Sequence, residues 1–111
     1  MTRALAHLTL AVGLDPTLPE AWFHLGYFAE LVGDTHRATA ARARFLELAA
    51  TLPADARERL HPLRVRAILD EAWARREAGR FEDCERWIAH HQASLRRNPG
   101  WQLSPAGEAR L

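Results

Sequence analysis

A chain of 111 residues, 48% of them apolar, is long and apolar enough to bury the core of one domain or of a piece of a longer protein, and is not mainly disordered. Its 15 basic residues, all arginine, and 14 acidic residues give a net charge of +1, so the composition gives no general reason to bind nucleic acid or an anionic membrane. The single cysteine, Cys84, excludes an internal disulfide framework, and no apolar run reaches the roughly 18 residues of a membrane-spanning helix.

The first third of the chain predicts two helices. Residues 3–13 form the first, which we expect to stop at Gly13 and the Asp15-Pro16 turn rather than to be a signal peptide. Thr17 and Glu20 have the spacing of a capping box, with Thr17 as N-cap, at the start of a second helix that runs to about Val32.

The third predicted helix is bounded by conventional signals. Gly33 can take the left-handed conformation that closes the preceding helix, and Asp34 is suited to cap the next one. Pro53 ends this helix, whose apolar residues recur at helical spacing: Ala38, Ala41, Phe45, Leu48 and Leu52.

The second half predicts further helices, with no sustained alternation typical of strands. Residues 54–61 can form a short helix before Pro62 interrupts it, and a strongly periodic helix follows from Leu63 until Gly79 closes it. One last long helix then runs from Phe81 to the Asn98-Pro99-Gly100 stop. A further helical turn is expected at Ser104-Pro105.

A repeat of 34 residues links the first helix to the third. Ala4, Ala11, Val12 and Leu14 recur as Ala38, Phe45, Leu46 and Leu48, and Trp22-x-x-Leu25-Gly26 lies between them, followed by Gly33-Asp34 and Ala38. This pattern resembles the tetratricopeptide repeat (TPR), a helix–turn–helix unit of that period. Gly79 and Cys84 stand where Gly33 and Ala38 do, but at an offset of 46 rather than 34.

The resemblance implies an all-α fold in which antiparallel helix–turn–helix repeats stack as a short right-handed superhelix, a TPR-like solenoid. Residues 1–111 would then form a single domain of about two and a half repeats. Its parts would be a half repeat (3–16), a clear repeat (17–53), an insertion (54–62), a degenerate repeat (63–99) and a C-terminal tail (100–111).

Small residues have a packing role in this arrangement. Gly26 lets a neighbouring backbone approach, because a Cβ atom there would push it away, and Ala38 is small because two helices cross at that point. The sequence departs from the family's pattern at Arg42, where an aromatic residue is usual.

Catalytic and metal-binding patterns are weak. His90 and His91 are adjacent on a predicted helix and so point apart, while Cys84 and His91 share a face but lie about 10 Å apart along the axis. Glu20 and His24 could form a base with an orienting carboxylate, but an ordinary i, i+4 pair is the simpler interpretation. We therefore expect neither an enzyme nor a metal or other cofactor.

The resemblance implies protein binding through a concave, aromatic-lined groove that accepts a peptide, a helix or a subunit, as a scaffold does. The first helix of each pair would line this groove. The residues placed there are Glu20, Phe23, Tyr27, Glu30 and Leu31 in the clear repeat and Arg66, Leu69, Trp73 and Arg76 in the degenerate one. In the alternative interpretation, these aromatic residues fill the core of a short array.

Two further expectations concern partners. The paired arginines are interleaved with acidic residues, which favours ion pairs over nucleic-acid contacts; the alternative function is an accessory helical domain of a larger enzyme or nucleic-acid-binding assembly. Leu5, Leu8 and Val12 of the first helix are predicted to form a self-association or capping surface, covered by another copy, a subunit or further repeats. We expect a cytoplasmic protein that does not insert into membranes.

Overall fold

The computed structural model describes residues 2–97 and the pairs 102–103 and 109–110. These residues form six helices and one minimal two-stranded ladder, so the predicted all-α class is confirmed. The helices are α1 (Thr2–Leu14), α2 (Pro19–Leu31), α3 (Thr35–Ala50), α4 (Ala54–Glu77), α5 (Phe81–His90) and α6 (Gln92–Arg96). No helix among the described residues is both long and apolar enough to cross a membrane.

The chain divides into two compact units between His61 and Pro62. The first unit contains α1, α2, α3 and the beginning of α4, and the second contains the rest of α4 with α5 and α6. The division coincides with the end of the predicted insertion, at a proline inside α4.

The connection between α1 and α2 differs from the predicted capping box. Leu18, not Thr17, is the N-cap of α2, and its side chain makes no capping bond. The cause is Pro19 at the first helical position, because a proline holds the preceding residue in extended geometry, here φ −86° and ψ 103° at Leu18. The Thr17 hydroxyl and backbone N–H both donate instead to Asp15 Oδ1, at 2.6 and 3.1 Å. Gly13, the predicted stop of α1, lies inside that helix.

The turn between α2 and α3 forms as predicted. Gly33 has φ +82°, and its N–H donates to Glu30 O at 3.1 Å while the Asp34 N–H donates to Ala29 O at 2.9 Å. These two bonds define the Schellman ending of a helix. The Asp34 carboxylate then accepts the N–H of Arg37 at 3.2 Å and caps α3.

The core of the first unit lies between α2 and its two neighbours. Phe23 meets Phe45 edge to face, with ring centroids 5.4 Å apart, and Phe45 is fully buried. On the other side, Val12 of α1 and Leu25 are buried together with Ala41 of α3. The Trp22 indole packs against this cluster and donates to Pro16 O at 2.9 Å, which ties α2 to the preceding turn.

Helix α4 is continuous, contrary to the prediction that Pro62 separates two helices. It spans 24 residues with Pro62 in its interior. A proline cannot donate the N–H of the intrahelical bond, but burial of the residues on both sides holds the helical path. Leu60 and His61 are buried before Pro62, and Val65 is fully buried after it.

The turn after α4 also closes at the predicted glycine. Gly79 has φ +77°, its N–H donates to Arg76 O at 3.0 Å, and the Arg80 N–H donates to Arg75 O at 2.9 Å. The helix that follows is not one long helix as predicted. It is broken at His91, where φ −101° and ψ 16° leave the helical range, so that α5 ends at His90 and α6 begins at Gln92.

The C-terminal tail contributes one antiparallel ladder, β1 (Gln102–Leu103) with β2 (Ala109–Arg110). Gln102 pairs with Arg110 and Leu103 with Ala109. The predicted stop at Asn98-Pro99-Gly100 and the predicted turn at Ser104-Pro105 lie outside the described residues.

Candidate functional site

An exposed stripe runs along α2. Its members are spaced i, i+4, i+7 and i+11, so they occupy one side of the helix: Glu20, His24, Tyr27 and Leu31. Tyr27 is 42% exposed and Leu31 53%, which are high values for large apolar side chains on a packed helix. We call these four residues the α2 stripe.

The predicted groove residues of α2 divide between this stripe and the core. Glu20, Tyr27 and Leu31 are exposed members of the stripe. Phe23 is only 9% exposed because its ring lies against Phe45, and Glu30 extends to Arg42 of α3, with its Oε1 atom 3.1 Å from Arg42 Nη1. Phe23 and Glu30 therefore position α2 on α3 rather than present a contact surface.

Helix α4 carries a second stripe of the same spacing: Arg66, Asp70, Trp73 and Glu77. Arg66 and Glu77 are exposed, and Asp70 and Trp73 are half-buried. Arg66 Nε lies 3.1 Å from Asp70 Oδ1, so a basic and an acidic member of this α4 stripe form an i, i+4 ion pair.

The groove residues predicted in the second unit divide in the same way. Arg66 and Trp73 belong to the α4 stripe, whereas Leu69 is 1% exposed and lies in the core. The Arg76 guanidinium lies over the Phe81 ring, with its central carbon 5.3 Å from the ring centroid, and so covers the start of α5.

The two stripes are related by the offset that separates the two turn glycines. Each α4 stripe residue follows an α2 stripe residue by 46 positions, as Gly79 follows Gly33. The same offset relates six positions that are buried in both units: Pro19 and Val65, Phe23 and Leu69, Leu25 and Glu71, Gly26 and Ala72, Ala38 and Cys84, and Ala49 and Leu95. Burial thus recurs at six positions and exposure at the two ends of the stripe, whereas Asp70 and Trp73 are half-buried where His24 and Tyr27 are exposed.

Sequence reasoning missed His24, Asp70 and Glu77 as members of these stripes. The available signal was the i, i+4, i+7, i+11 progression from Glu20 and from Arg66. This progression includes the residue next to Phe23 and the residue next to Leu69 in place of those two. Because successive side chains on a helix are rotated by about 100°, these neighbours point in a different direction.

Several arginines of both units are engaged with carboxylates, as the interleaved charges indicated. Besides Arg66, the residues Arg37, Arg44, Arg75 and Arg80 each lie within 4 Å of an acidic partner in the same helix or turn. Asp83 accepts from both Arg80 and Arg86, and these two hydrogen bonds hold the pKa of its carboxyl below the usual value. Such pairing offsets part of the positive charge with which a nucleic-acid backbone would interact.

Groups suited to metal binding or nucleophilic chemistry do not converge in the part of the chain that the structure describes. Among these residues, no cluster of three or more His, Cys, Asp or Glu side chains could hold a metal ion. Cys84 is buried, and that burial raises the pKa of its thiol, which disfavours the reactive thiolate.

The predicted self-association surface of α1 faces α2 rather than solvent. Leu5, Leu8 and Val12 face α2, where Val12 is buried and the two leucines are partly buried against the cluster that contains Leu25. Leu10 and Leu14 are the exposed residues, at 61% and 78%. The periodicity of α1 explains the difference, because residues 5, 8 and 12 share one side of a helix.

No protein-family model, curated protein or solved structure matches this chain.

Proposed function

We propose that the chain is a non-catalytic, TPR-like interaction module, each of whose two units presents a stripe, that of α2 or that of α4, to a peptide, a helix or a subunit of another protein. The observation that carries this proposal is the recurrence of a surface stripe with a large aromatic residue at its centre. Tyr27 occupies that place in one unit and Trp73 in the other, 46 positions apart. Residues of these two types supply a disproportionate share of binding energy at protein interfaces.

The supporting architecture is clearest in the first unit, where α2 and α3 form a helical hairpin with small residues at the crossing. A Cβ atom at Gly26 would lie 3.4 Å from Ala38 O and 3.6 Å from Ala41 Cβ, so α2 and α3 approach closely where the tetratricopeptide pattern places its glycine and alanine. Such hairpins present the exposed side of their first helix on a rigid support, which reduces the ordering cost of binding.

The chemistry of the stripes favours an amphipathic partner. Tyr27, Leu31 and Trp73 offer apolar area, while Glu20 and the Arg66–Asp70 pair offer polar contacts at the edges. A nucleic acid would require a concentration of unpaired cationic side chains, and the pairing of arginines with carboxylates gives that alternative less support.

The test starts with an affinity pull-down, identifies the captured protein by mass spectrometry and then measures its affinity in purified form. Tyr27→Ala and Trp73→Ala are expected to weaken binding about tenfold or more each, the range of an interface hot spot. His36→Ala, an exposed position on α3 outside both stripes, serves as the matched control. Thermal denaturation of each variant shows whether weaker binding comes from loss of a contact with the partner or from loss of the folded structure.

A partner held through apolar contacts retains most of its affinity when the salt concentration is raised severalfold. Affinity that falls steeply with salt and is unchanged in both aromatic variants would instead support the alternative, an accessory domain in a nucleic-acid-binding assembly. Affinity that is unchanged in both variants and insensitive to salt would place the contact elsewhere on the chain and contradict the stripe proposal.

A further inference from the structure

A stacked polar cluster occupies the core of the second unit. The Glu71 carboxylate, 3% exposed, accepts a hydrogen bond from Arg75 Nε at 3.0 Å. The Arg75 guanidinium lies over the Trp87 ring at 4.4 Å, and the Trp87 indole donates to Ile68 O at 2.8 Å. These contacts join α5 to α4.

His91 completes this cluster at the break between α5 and α6. Its ring centroid lies 4.3 Å from that of Trp87 and 4.8 Å from that of His90. The charged and titratable groups that act on it are Arg64 and Arg75 of α4 and His90 of α5, and all of them are basic. Protonation of His91 would therefore add a positive charge close to other cations, against the Trp87 ring over which the Arg75 guanidinium already lies.

We infer that α5 and α6 form an acid-sensitive element, which the neutral His91 imidazole helps to hold against α4 and which protonation of His91 releases. The first unit has apolar residues at the positions equivalent to this polar cluster. Phe45 stands there at the position equivalent to His91, and Leu25 and Ala41 stand at the positions equivalent to Glu71 and Trp87. These three apolar residues do not titrate, so we expect no equivalent release of α3 from α2 at their positions under the same conditions.

The direction of the pH effect follows from the protonation equilibrium. Burial, followed by repulsion from His90, Arg64 and Arg75, lowers the pKa of His91 from 6.5 to about 4. As pH falls, the opened form takes up the proton before the closed form does. The contribution of His91 to closure is therefore complete above about pH 6.5 and is lost progressively between pH 6.5 and about 4.

Two indole N–H groups provide the probes for the experiment, one in a part-buried hydrogen bond between α5 and α4 and one in an exposed hydrogen bond to the turn before α2. Trp87 donates to Ile68 O in the second unit, and Trp22 donates to Pro16 O in the first, at nearly equal distances of 2.8 and 2.9 Å. Hydrogen exchange of both indoles is followed by NMR from about pH 7 to about pH 5, with correction for the intrinsic rate, a range in which ordinary carboxyl groups stay mostly ionised.

The expected result is a fall of about tenfold in Trp87 protection between pH 7 and pH 5, while Trp22 protection changes less than about twofold. His91→Phe, which installs the residue found in the first unit, should abolish the pH dependence. His91→Gln, which keeps a polar side chain but cannot titrate, should also abolish it and serves as a second variant in case the phenyl ring packs poorly. His36→Gln, which removes an exposed imidazole of α3, should keep it.

Three outcomes would overturn the inference. Trp87 protection could be independent of pH, the pH dependence could persist in His91→Gln, or Trp22 could lose protection in parallel with Trp87. The first two results would remove His91 as the sensor, and the third would show that acid loosens the whole molecule rather than α5 and α6.

Discussion

The helix pairs α2–α3 and α4–α5 are joined by the same type of backbone turn, but they differ in the side chains that fill the space between their helices. Gly33 and Gly79 both take positive φ and both close a Schellman ending with the same pair of hydrogen bonds. In the first pair, α2 and α3 approach each other closely at three small residues, Gly26, Ala38 and Ala41. At the equivalent positions, the second unit has Ala72, Cys84 and Trp87.

This difference changes the chemistry of the two cores. The first unit packs Phe23 on Phe45 and buries one cation, Arg42, which is 3% exposed and whose Nη1 atom lies 3.1 Å from Glu30 Oε1. The second buries the Glu71 carboxylate and supports it with Arg75, whose guanidinium rests on Trp87. One turn geometry thus supports two different cores, one with a buried cation beside an aromatic pair and one with a buried carboxylate beside a cation–π stack, because the turn depends on glycine and backbone bonds alone.

The largest contrast is expected at the equivalent pair Phe45 and His91. Phe45 is fully buried, so Phe45→Ala should lower the free energy of unfolding by about 3–5 kcal/mol. His91 is half-buried, so His91→Ala at pH 7 should cost less than about 2 kcal/mol. Urea denaturation of the two variants measures both values, and equal losses would contradict the predicted contrast between a fully buried and a half-buried position.

Gly26 tests the close approach in the first unit. A Cβ atom there would lie 3.2 Å from Arg42 Cγ and 3.4 Å from Ala38 O, and the carbonyl belongs to a helix backbone that cannot easily move. Gly26→Leu should therefore lower the free energy of unfolding, measured by urea denaturation, by about 1–3 kcal/mol.

Gly13 supplies the matched control for this substitution, since it also lies inside a helix but has open space within 4 Å of the point where a Cβ atom would stand. Gly13→Leu should leave stability unchanged or raise it by about 0.5–1 kcal/mol through better helix propensity. If both leucine variants melted with the parent, the proposed contact between α2 and α3 would be wrong.

The two turn glycines should respond alike. An alanine in the left-handed region costs roughly 1–2 kcal/mol, so Gly33→Ala and Gly79→Ala should each destabilise the chain by that amount. Neither glycine has an atom near the Cβ position, and the cost is therefore conformational in both. Thermal denaturation showing a loss at one glycine only would break the equivalence of the two turns.

The helix caps give the smallest expected contrast. Asp34 caps α3, and Asp34→Ala should cost about 1 kcal/mol, whereas Arg80 at the start of α5 makes no side-chain capping bond. Arg80→Ser should supply the missing cap and, after loss of the Arg80–Asp83 ion pair, raise stability by about 0.5 kcal/mol. Differential scanning calorimetry of the two variants checks the signs, and the same sign in both would contradict the assignment of caps.

Local signals made the turns and one cap predictable from sequence. Gly33, Asp34 and Gly79 act through their own backbone or through the next few residues, so their roles are visible in the sequence and are confirmed. The capping box at Thr17 failed because Pro19 keeps Leu18 extended, a local rule that outweighs the spacing of Thr17 and Glu20.

Features that depend on tertiary packing were harder to predict from the sequence. The continuity of α4 through Pro62 depends on the burial of Leu60, His61 and Val65, which spacing alone does not specify. The stripe was misplaced by one position for a similar reason. Phe23 and Tyr27 are both large and aromatic, and only contact with Phe45 decides that Phe23 is the buried one.

The central claim is that exposure repeats along α2 and α4 at an offset of 46, and solvent paramagnetic relaxation enhancement tests it most directly. With a soluble spin label in the buffer, the account predicts maxima at Glu20, His24, Tyr27 and Leu31 and again at Arg66 and Glu77, with intermediate enhancement at Asp70 and Trp73. The side chains of Phe23 and Leu69 should be protected. Strong enhancement at Phe23 and Leu69, or a periodicity in α4 shifted from that in α2, would contradict the claim.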